Sequence, residues 1–209
     1  MDLVVFGAAG GVGRHAVRLA AERGHAVVAV ARRASGQAGV TDRVGDIRNA
    51  ALVAVAVTGA DAVLWCVGVT TGSGGDVGRA VLPGLVEAMG GAGARRFVGV
   101  SGAGTDLPGD RKGAGARFVS ALTHRLARDL VEDKEGEHRI LTASGLDWTQ
   151  VRPPRLVDKP GTGSYRLTGE APGLRAAPVT KADVALAMVE LAEGREWLSA
   201  APFIMAGDR

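Results

Sequence analysis

The chain has 209 residues, 46% of them hydrophobic, and a formal net charge of +3, so it is long and apolar enough to build its own core. Its 32 glycines follow no collagen-like period, which excludes collagen-like and disordered classes. A single cysteine, Cys66, excludes a disulfide framework and a multi-cysteine zinc site, and we expect no metal ion.

The basic residues are scattered between carboxylates rather than gathered in a stripe, so we expect no nucleic-acid partner. No apolar run is long enough to span a bilayer, and the N-terminus lacks a signal-peptide pattern. We therefore expect a cytoplasmic protein without a membrane partner. Its partner is expected to be a small-molecule substrate, and its state a monomer or a small homo-oligomer.

Apolar, β-branched runs alternate with helical patterns along the first three quarters of the chain. The pattern predicts strands at residues 3–6, 25–31, 43–45, 61–67, 95–100 and 146–151. It predicts helices at 14–23, 49–57, 77–89 and 116–143, the last with a break near Gly136. Continuous apolar strands are typical of a parallel sheet that is covered on both faces.

Six strands alternating with helices favour an α/β fold of the Rossmann type, a doubly wound parallel sheet. After residue 152 the pattern changes to a Pro- and Gly-rich segment at 155–178, a helix at 180–193 and a strand at 203–205. We predict one NAD(P)-binding domain over 1–209. Residues 1–152 form its cofactor core, and 153–209 form a small substrate lobe with the closing helix and strand.

A glycine-rich turn follows the first strand and opens the first helix. Gly7 suits a tight turn, Gly10 allows the backbone to approach a pyrophosphate, and Gly13 allows the helix to pack close to the strand. The free N–H groups at the helix start bind phosphate oxygens. The pattern therefore predicts a dinucleotide site formed by Gly7, Ala9, Gly10, Gly11, Val12 and Gly13.

The second strand ends in Arg32 and Arg33, where an NAD-selective site carries an acidic residue. Guanidinium groups suit the 2′-phosphate of NADP, so we predict NADPH as the cofactor and consider NAD the weaker candidate. Both arginines are also explained as surface residues, one of them paired with Asp46. Asp46 and Ile47 are expected at the adenine edge, although a helix N-cap equally explains the aspartate.

The chain resembles the atypical short-chain dehydrogenase/reductases of the NmrA-like, NAD(P)H-binding type, which include flavin and biliverdin reductases. The motifs that carry the resemblance are VVFGAAGGVG at 4–13, VGDI at 44–47, RFVGVSGAG at 96–104, SGLDWTQVRPPRLVD at 144–158 and VTKADVA at 179–185. They cover nearly the whole chain and are specific for fold and cofactor. They say much less about the substrate.

The resemblance implies roles for residues at the ends of the later strands. Val67, Gly68 and Ser101 are expected to line the nicotinamide half of the site, Pro153 to lie beside the carboxamide, and Arg155 to face the substrate. Ser101 and Arg155 are the candidate catalytic residues. A serine in an SGAG loop is equally explained by hydrogen bonds to its own loop.

The usual acid of a short-chain dehydrogenase is a tyrosine with a lysine four residues later. The single tyrosine, Tyr165, has no such lysine, so Tyr-Lys catalysis is excluded and the proton comes from water or from another group. Tyr165 and Arg166 are expected to contact the substrate. The charges of Lys134, Glu135 and Glu137 are interpreted as a solvated helix face.

These features predict an NADPH-dependent reductase that transfers hydride to a planar acceptor such as a quinone, flavin or tetrapyrrole. The alternative is a redox sensor that binds NADP(H) and regulates a partner without catalysis. Sugar-nucleotide epimerase chemistry fits poorly, because it relies on the missing Tyr-Lys pair.

Overall fold

The computed structural model describes residues 1–69, 74–173 and 175–207. Sixteen elements follow one another along the chain: β1 (Asp2–Phe6), α1 (Gly13–Glu22), β2 (Ala26–Ala31), β3 (Val40–Val44), α2 (Ala50–Val57), β4 (Ala62–Trp65), α3 (Val77–Ala92), β5 (Arg96–Val100), α4 (Ala114–Leu126), α5 (Arg128–Ala143), β6 (Asp147–Val151), β7 (Leu156–Val157), β8 (Tyr165–Thr168), β9 (Val179–Thr180), α6 (Lys181–Glu193) and β10 (Phe203–Ala206). No helix among the described residues combines the length and apolar character that a membrane span requires.

The first six strands form one parallel sheet in the order β3-β2-β1-β4-β5-β6. The order reverses between β1 and β4, and ligands of such sheets bind beyond the strand ends at this reversal. The predicted Rossmann-type α/β fold is confirmed.

Two apolar layers cover the two faces of the sheet. One layer joins α1 and α6 to the sheet, and the other joins α2, α3 and α5. The central strands β1 and β4 are buried on both faces, which explains their lack of polar alternation. The ring of Trp65 packs against Phe6 and Phe97, with centroid distances of 5.7 and 6.4 Å.

The predicted helix at 116–143 is two helices, and the predicted position of its break is wrong. The chain leaves helical geometry at Ala127, with φ −136° and ψ 45°, while Gly136 lies inside α5. A Cβ at position 136 would be 2.2 Å from Cδ of Arg79 in α3. Gly136 therefore serves the close packing of α3 against α5 and does not end a helix.

The segment at 155–178, predicted as irregular, contains β7 and β8. Strand β7 pairs with β9 in parallel, and β8 pairs with β10 in antiparallel orientation. These two-stranded pairs hold the C-terminal part of the chain beside β6, where Arg152 bridges to Phe203.

Candidate functional site

A cleft of about 510 Å³ opens at the carboxyl edge of the sheet, over the ends of β1, β2, β3 and β4. Nine residues predicted to bind the cofactor line it: Gly7, Ala9, Gly10, Arg32, Arg33, Asp46, Ile47, Val67 and Gly68. Parallel strands bring their carboxyl ends to one edge, so residues from four separate loops meet here.

The turn after β1 has a backbone that requires glycine at two positions. Gly7 has a φ of +75°, and a Cβ on it would be 2.7 Å from the carbonyl oxygen of Cys66. A Cβ on Gly13 would be 2.2 Å from the carbonyl oxygen of Gly7. Both distances are shorter than any normal contact, so these residues allow β1, β4 and α1 to converge at the cleft.

The N-terminus of α1 carries free backbone donors. Its N-cap residue is Val12, which has no capping side chain, and the N–H groups of Gly11, Val12 and Gly13 find no acceptor among the described residues. By contrast, the Asn49 side chain caps α2 and the Thr180 hydroxyl caps α6. An uncapped helix start is a ready site for an anion. Gly11, Val12 and Gly13 do not themselves line the cleft, and the Lys181 side chain lies against Gly11.

Arg32 and Arg33 lie exposed on the wall of this cleft. Neither forms an ion pair or hydrogen bond with another described residue, so the explanation that one of them pairs with Asp46 is wrong. Asp46 accepts a hydrogen bond from the Arg48 N–H at 2.9 Å. The alternative role of Asp46 as an N-cap is also wrong, because Asn49 caps α2.

Buried charges form the floor of the cleft below Val67. The Lys134 ammonium donates to the Val67 carbonyl at 2.6 Å and to both Glu137 oxygens at 2.9 and 3.0 Å. The Trp65 indole N–H donates to Glu137 at 2.9 Å. Burial raises the pKa of Glu137, and Lys134 and Trp65 oppose this shift.

Asp133 completes the floor by capping α3 from the neighbouring helix. Its carboxylate accepts hydrogen bonds from the N–H groups of Gly78 and Arg79. Asp133, Lys134 and Glu137 are all buried, so the interpretation of Lys134 and Glu137 as a solvated face is wrong. Both share a helical stripe with the buried Val131 and Leu141, and this spacing is the signal that could have revealed them.

Ser101 lies one strand beyond β4 along the edge and Pro153 two strands beyond it, and neither lines the cleft itself. The backbones of the two loops are joined, since the Ser101 N–H donates to Val151 and the Ala103 N–H to Pro153, both at 2.9 Å. The Ser101 hydroxyl is buried and has no partner among the described residues. It therefore forms no hydrogen bond that holds its own loop.

The loop after β5 is organised by Arg152, a residue that the sequence did not single out. Its guanidinium makes a bidentate pair with Asp110, with both N–O distances 2.6 Å, donates to the Thr105 carbonyl at 2.8 Å and lies over the Phe203 ring. Burial alone would raise the pKa of Asp110, but the bonds from Arg152 and Leu107 lower it overall.

Arg155 is exposed and lines a second cleft, of about 380 Å³, at the same edge of the sheet. The other lining residues are Ala103, Ala116, Pro154, Ala171, Pro172, Gly173, Arg175 and Ala176. The predicted substrate-facing residue therefore lies beyond β6, next to the cleft of β1 to β4 and outside it.

Tyr165 lies at the opposite end of the sheet, so its predicted contact with a substrate at this site is wrong. Its hydroxyl donates to Glu190, which also pairs with Arg23 at the end of α1. Glu190 is nine residues beyond Lys181, or about 13 Å along α6, and Lys181 lies against Gly11 at the carboxyl edge. Arg166 is the next residue of β8 and is exposed.

Five further residues line the cofactor cleft that the sequence did not nominate: Ala31, Gly45, Arg48, Cys66 and Val77. Burial raises the pKa of the Cys66 thiol to about 12, against the opposing charge of Lys134, so this thiol stays protonated. Ala31 and Gly45 adjoin nominated residues, and their positions at strand ends are the signal that could have found them.

Known proteins share this fold. The sequence profile of a family described as NAD(P)H-binding matches residues 7–194. ChuY, an anaerobilin reductase from Escherichia coli O157:H7, is 26% identical over 100% of this chain and 98% of its own, with a TM-score of 0.79. The oxidoreductase YlbE of Lactococcus lactis is 22% identical over 100% and 92%, with a TM-score of 0.81. A short-chain dehydrogenase/reductase of Veillonella parvula in complex with NADP is 19% identical over 98% and 94%, with a TM-score of 0.79.

Proposed function

Because the chain belongs to the NAD(P)H-binding family, we propose that it is an NADPH-dependent reductase that transfers hydride to a small planar acceptor. The observation that carries the proposal is the pairing of two anion sites in one cleft. The first is the glycine turn that leads into the uncapped start of α1, from which Gly7, Ala9 and Gly10 line the cleft. The second is the pair of guanidiniums of Arg32 and Arg33, which bond to no other described residue.

The residues of the cleft fit the phosphate groups of NADPH. The glycine turn from Gly7 to Gly10 would let the pyrophosphate approach the free N–H groups at the start of α1, and Arg32 and Arg33 suit the 2′-phosphate. Within the cleft, Asp46 and Ile47 would hold the adenine end, and Val67 and Gly68 would hold the nicotinamide end. The Ser101 hydroxyl is buried one strand further along the edge and bonds to no described residue.

The chain's own contribution to the reaction is positioning. The chemistry that NADPH supplies when bound is hydride donation. Lys134 holds the Val67 carbonyl and so fixes the strand end that supports the nicotinamide half. The thiol of Cys66 stays protonated, and none of the described residues that line the cleft is a tyrosine or a histidine. An acceptor whose reduced form takes its proton from water suits such a site.

The first experiment measures cofactor choice. Replacing Arg32 and Arg33 together by serine is expected to raise the Kd for NADPH at least tenfold, or about 1.4 kcal/mol, and to leave the Kd for NADH unchanged. The control is Arg43→Ser, which removes an exposed arginine on β3 outside the cleft. Equal loss of both cofactors would contradict the assignment of these arginines to the 2′-phosphate.

The second experiment measures turnover of NADPH with a panel of quinones, flavins and linear tetrapyrroles. We expect oxidation of NADPH with at least one of them. Tight NADPH binding without turnover of any acceptor would overturn the reductase and favour the redox sensor. A sensor would bind a partner protein in one redox state of the nucleotide and release it in the other.

A further inference from the structure

One histidine and two carboxylates converge outside the cofactor cleft, where the loop after β5 meets α4 and α5. The Nε2 atom of His124, in the last turn of α4, lies 3.1 Å from an oxygen of Asp106 and 3.3 Å from an oxygen of Glu135. The three potential ligand atoms all lie within 4.8 Å of one another, and no other such group of three occurs among the described residues. Three segments thus bring one nitrogen and two oxygen donors to one point.

Hydrogen bonding does not explain the position of the His124 imidazole. Its Nε2 atom is buried and has no hydrogen-bond partner among the described residues, although both carboxylate oxygens are close. By contrast, Nε2 of His25 hydrogen-bonds to Glu193 at 2.7 Å. A tetrahedral metal ion with bonds of about 2.0–2.2 Å holds its ligand atoms about 3.3–3.6 Å apart. The spacing around His124 is therefore close to that of ligands that share a cation.

The surroundings orient the three side chains. The buried Lys112 ammonium donates to the other Asp106 oxygen, Oδ1, at 2.8 Å and to the Ser120 hydroxyl of α4 at 2.8 Å. The Asp106 N–H donates to the Glu135 carboxylate at 3.0 Å. Contacts of this kind fix the orientation of metal ligands. The Asp106, His124 and Glu135 side chains are 55%, 35% and 22% exposed, so an ion can enter from water.

We propose that Asp106, His124 and Glu135 bind a divalent metal ion of the Zn²⁺ type, with water as the fourth ligand, and that this ion ties the loop at 101–113 to α4 and α5. An imidazole ligand favours Zn²⁺ over Mg²⁺ and Ca²⁺, which prefer oxygen ligands. The expectation of no metal ion followed from the single cysteine, and this site needs no thiol. None of the three residues lines the cofactor cleft, so the proposal is independent of the reductase function.

The first experiment titrates Zn²⁺ into the metal-free protein against a chromophoric chelator. We expect one ion per chain, which a large excess of Mg²⁺ does not displace. Asp106→Asn and His124→Gln should each raise the Kd for Zn²⁺ at least tenfold, because even residues that only orient ligands change metal affinity about 10–100-fold. The control is His15→Gln, since Nε2 of His15 is also buried and unpartnered among the described residues but belongs to no such group. This variant should leave the Kd unchanged.

The second experiment measures cleavage by trypsin after Arg111, which is exposed in the loop. Zn²⁺ should slow this cleavage in the wild type and have no effect on it in His124→Gln. Binding that the variants weaken without slower cleavage would overturn the role of the ion in holding the loop.

Two outcomes would overturn the metal site itself. One is a Kd for Zn²⁺ that neither Asp106→Asn nor His124→Gln changes, which would indicate an adventitious ion only. The other concerns the wild type alone and holds even if a variant does not fold. X-ray absorption at the zinc edge should show one imidazole and otherwise oxygen ligands at about 2.0–2.2 Å, and a spectrum without imidazole would contradict the proposed ligands.

Discussion

The two halves of the carboxyl edge are built by different forces. Over β1, β2 and β3 the site consists of backbone and exposed side chains that are neighbours in sequence. Over β4, β5 and β6 it depends on buried charges that arrive from distant elements, Lys134 and Glu137 from α5 and Arg152 from the end of β6. The first half is readable as a motif, while the second exists only once the chain has folded.

Buried charges have a consequence for stability that exposed charges lack. An ion pair at the surface contributes little, because water solvates each partner alone. A buried charge that loses its partner destabilises the fold strongly. Single substitutions in the half over β4, β5 and β6 should therefore lower the free energy of unfolding more than those in the other half.

The largest expected effect is that of Lys134→Met, which leaves Glu137 buried with only Trp65 as a donor. We expect a loss of about 3–5 kcal/mol in the free energy of unfolding, measured by urea denaturation. Adding Glu137→Gln removes the stranded charge and should recover part of the loss. The control, Arg128→Met, breaks an exposed pair with Glu132 and should not move the midpoint. A loss for Lys134→Met no larger than that of the control would contradict the buried pair.

Arg152→Met is expected to destabilise by about 2–3 kcal/mol, because Asp110 loses its bidentate partner and the Thr105 carbonyl loses one of its two donors. Met retains contact with Phe203. The loop at 101–113 should then become the first site of proteolytic cleavage. The same rate of cleavage in variant and wild type would show that Arg152 does not organise this loop.

Gly13→Ala tests the half of the carboxyl edge over β1, β2 and β3, where close backbone contacts require glycine. The new Cβ would meet the Gly7 carbonyl at 2.2 Å, and overpacking of this kind costs about 1–3 kcal/mol. We expect the Kd for NADPH to rise about tenfold or more. Gly84→Ala, at an open position inside α3, is the matched control and should leave the Kd unchanged. Equal Kd values for both variants would contradict the steric role of Gly13.

The smallest expected effect is the loss of folding stability at low pH through Asp110. The pKa of Asp110 is lowered from 3.8 in the folded chain, so its contribution to stability is present above pH 3.8 and is lost as the pH falls through the lower folded-state value. Asp110→Asn should reduce stability at neutral pH, and the difference from wild type should shrink below pH 3.8. Urea midpoints over this range measure it. A difference that does not change with pH would show that the carboxylate charge is not the stabilising element.

The sequence by itself determined the six strands of the Rossmann-type sheet, their alternation with helices and the glycine turn, because apolar periodicity and backbone sterics are local properties. It did not reveal β7, β8 and β9. It also placed Arg32 and Arg33 at a strand end that faces the cleft. It placed the break of the long helix at Gly136 instead of Ala127. A glycine can either end a helix or allow two helices to pack closely, and the sequence alone does not distinguish these roles.

Only the tertiary structure decided which charges are buried. Lys134 and Glu137 read as a surface face until Trp65 and the Val67 carbonyl are placed against them. Tyr165 bonds to Glu190 near the end of α6, far from the cofactor cleft. Arg155 and Arg175 are twenty residues apart in sequence and line the same cleft. Burial and proximity depend on contacts between distant segments. The identity of a charged residue therefore does not reveal whether water or another segment of the chain surrounds its side chain.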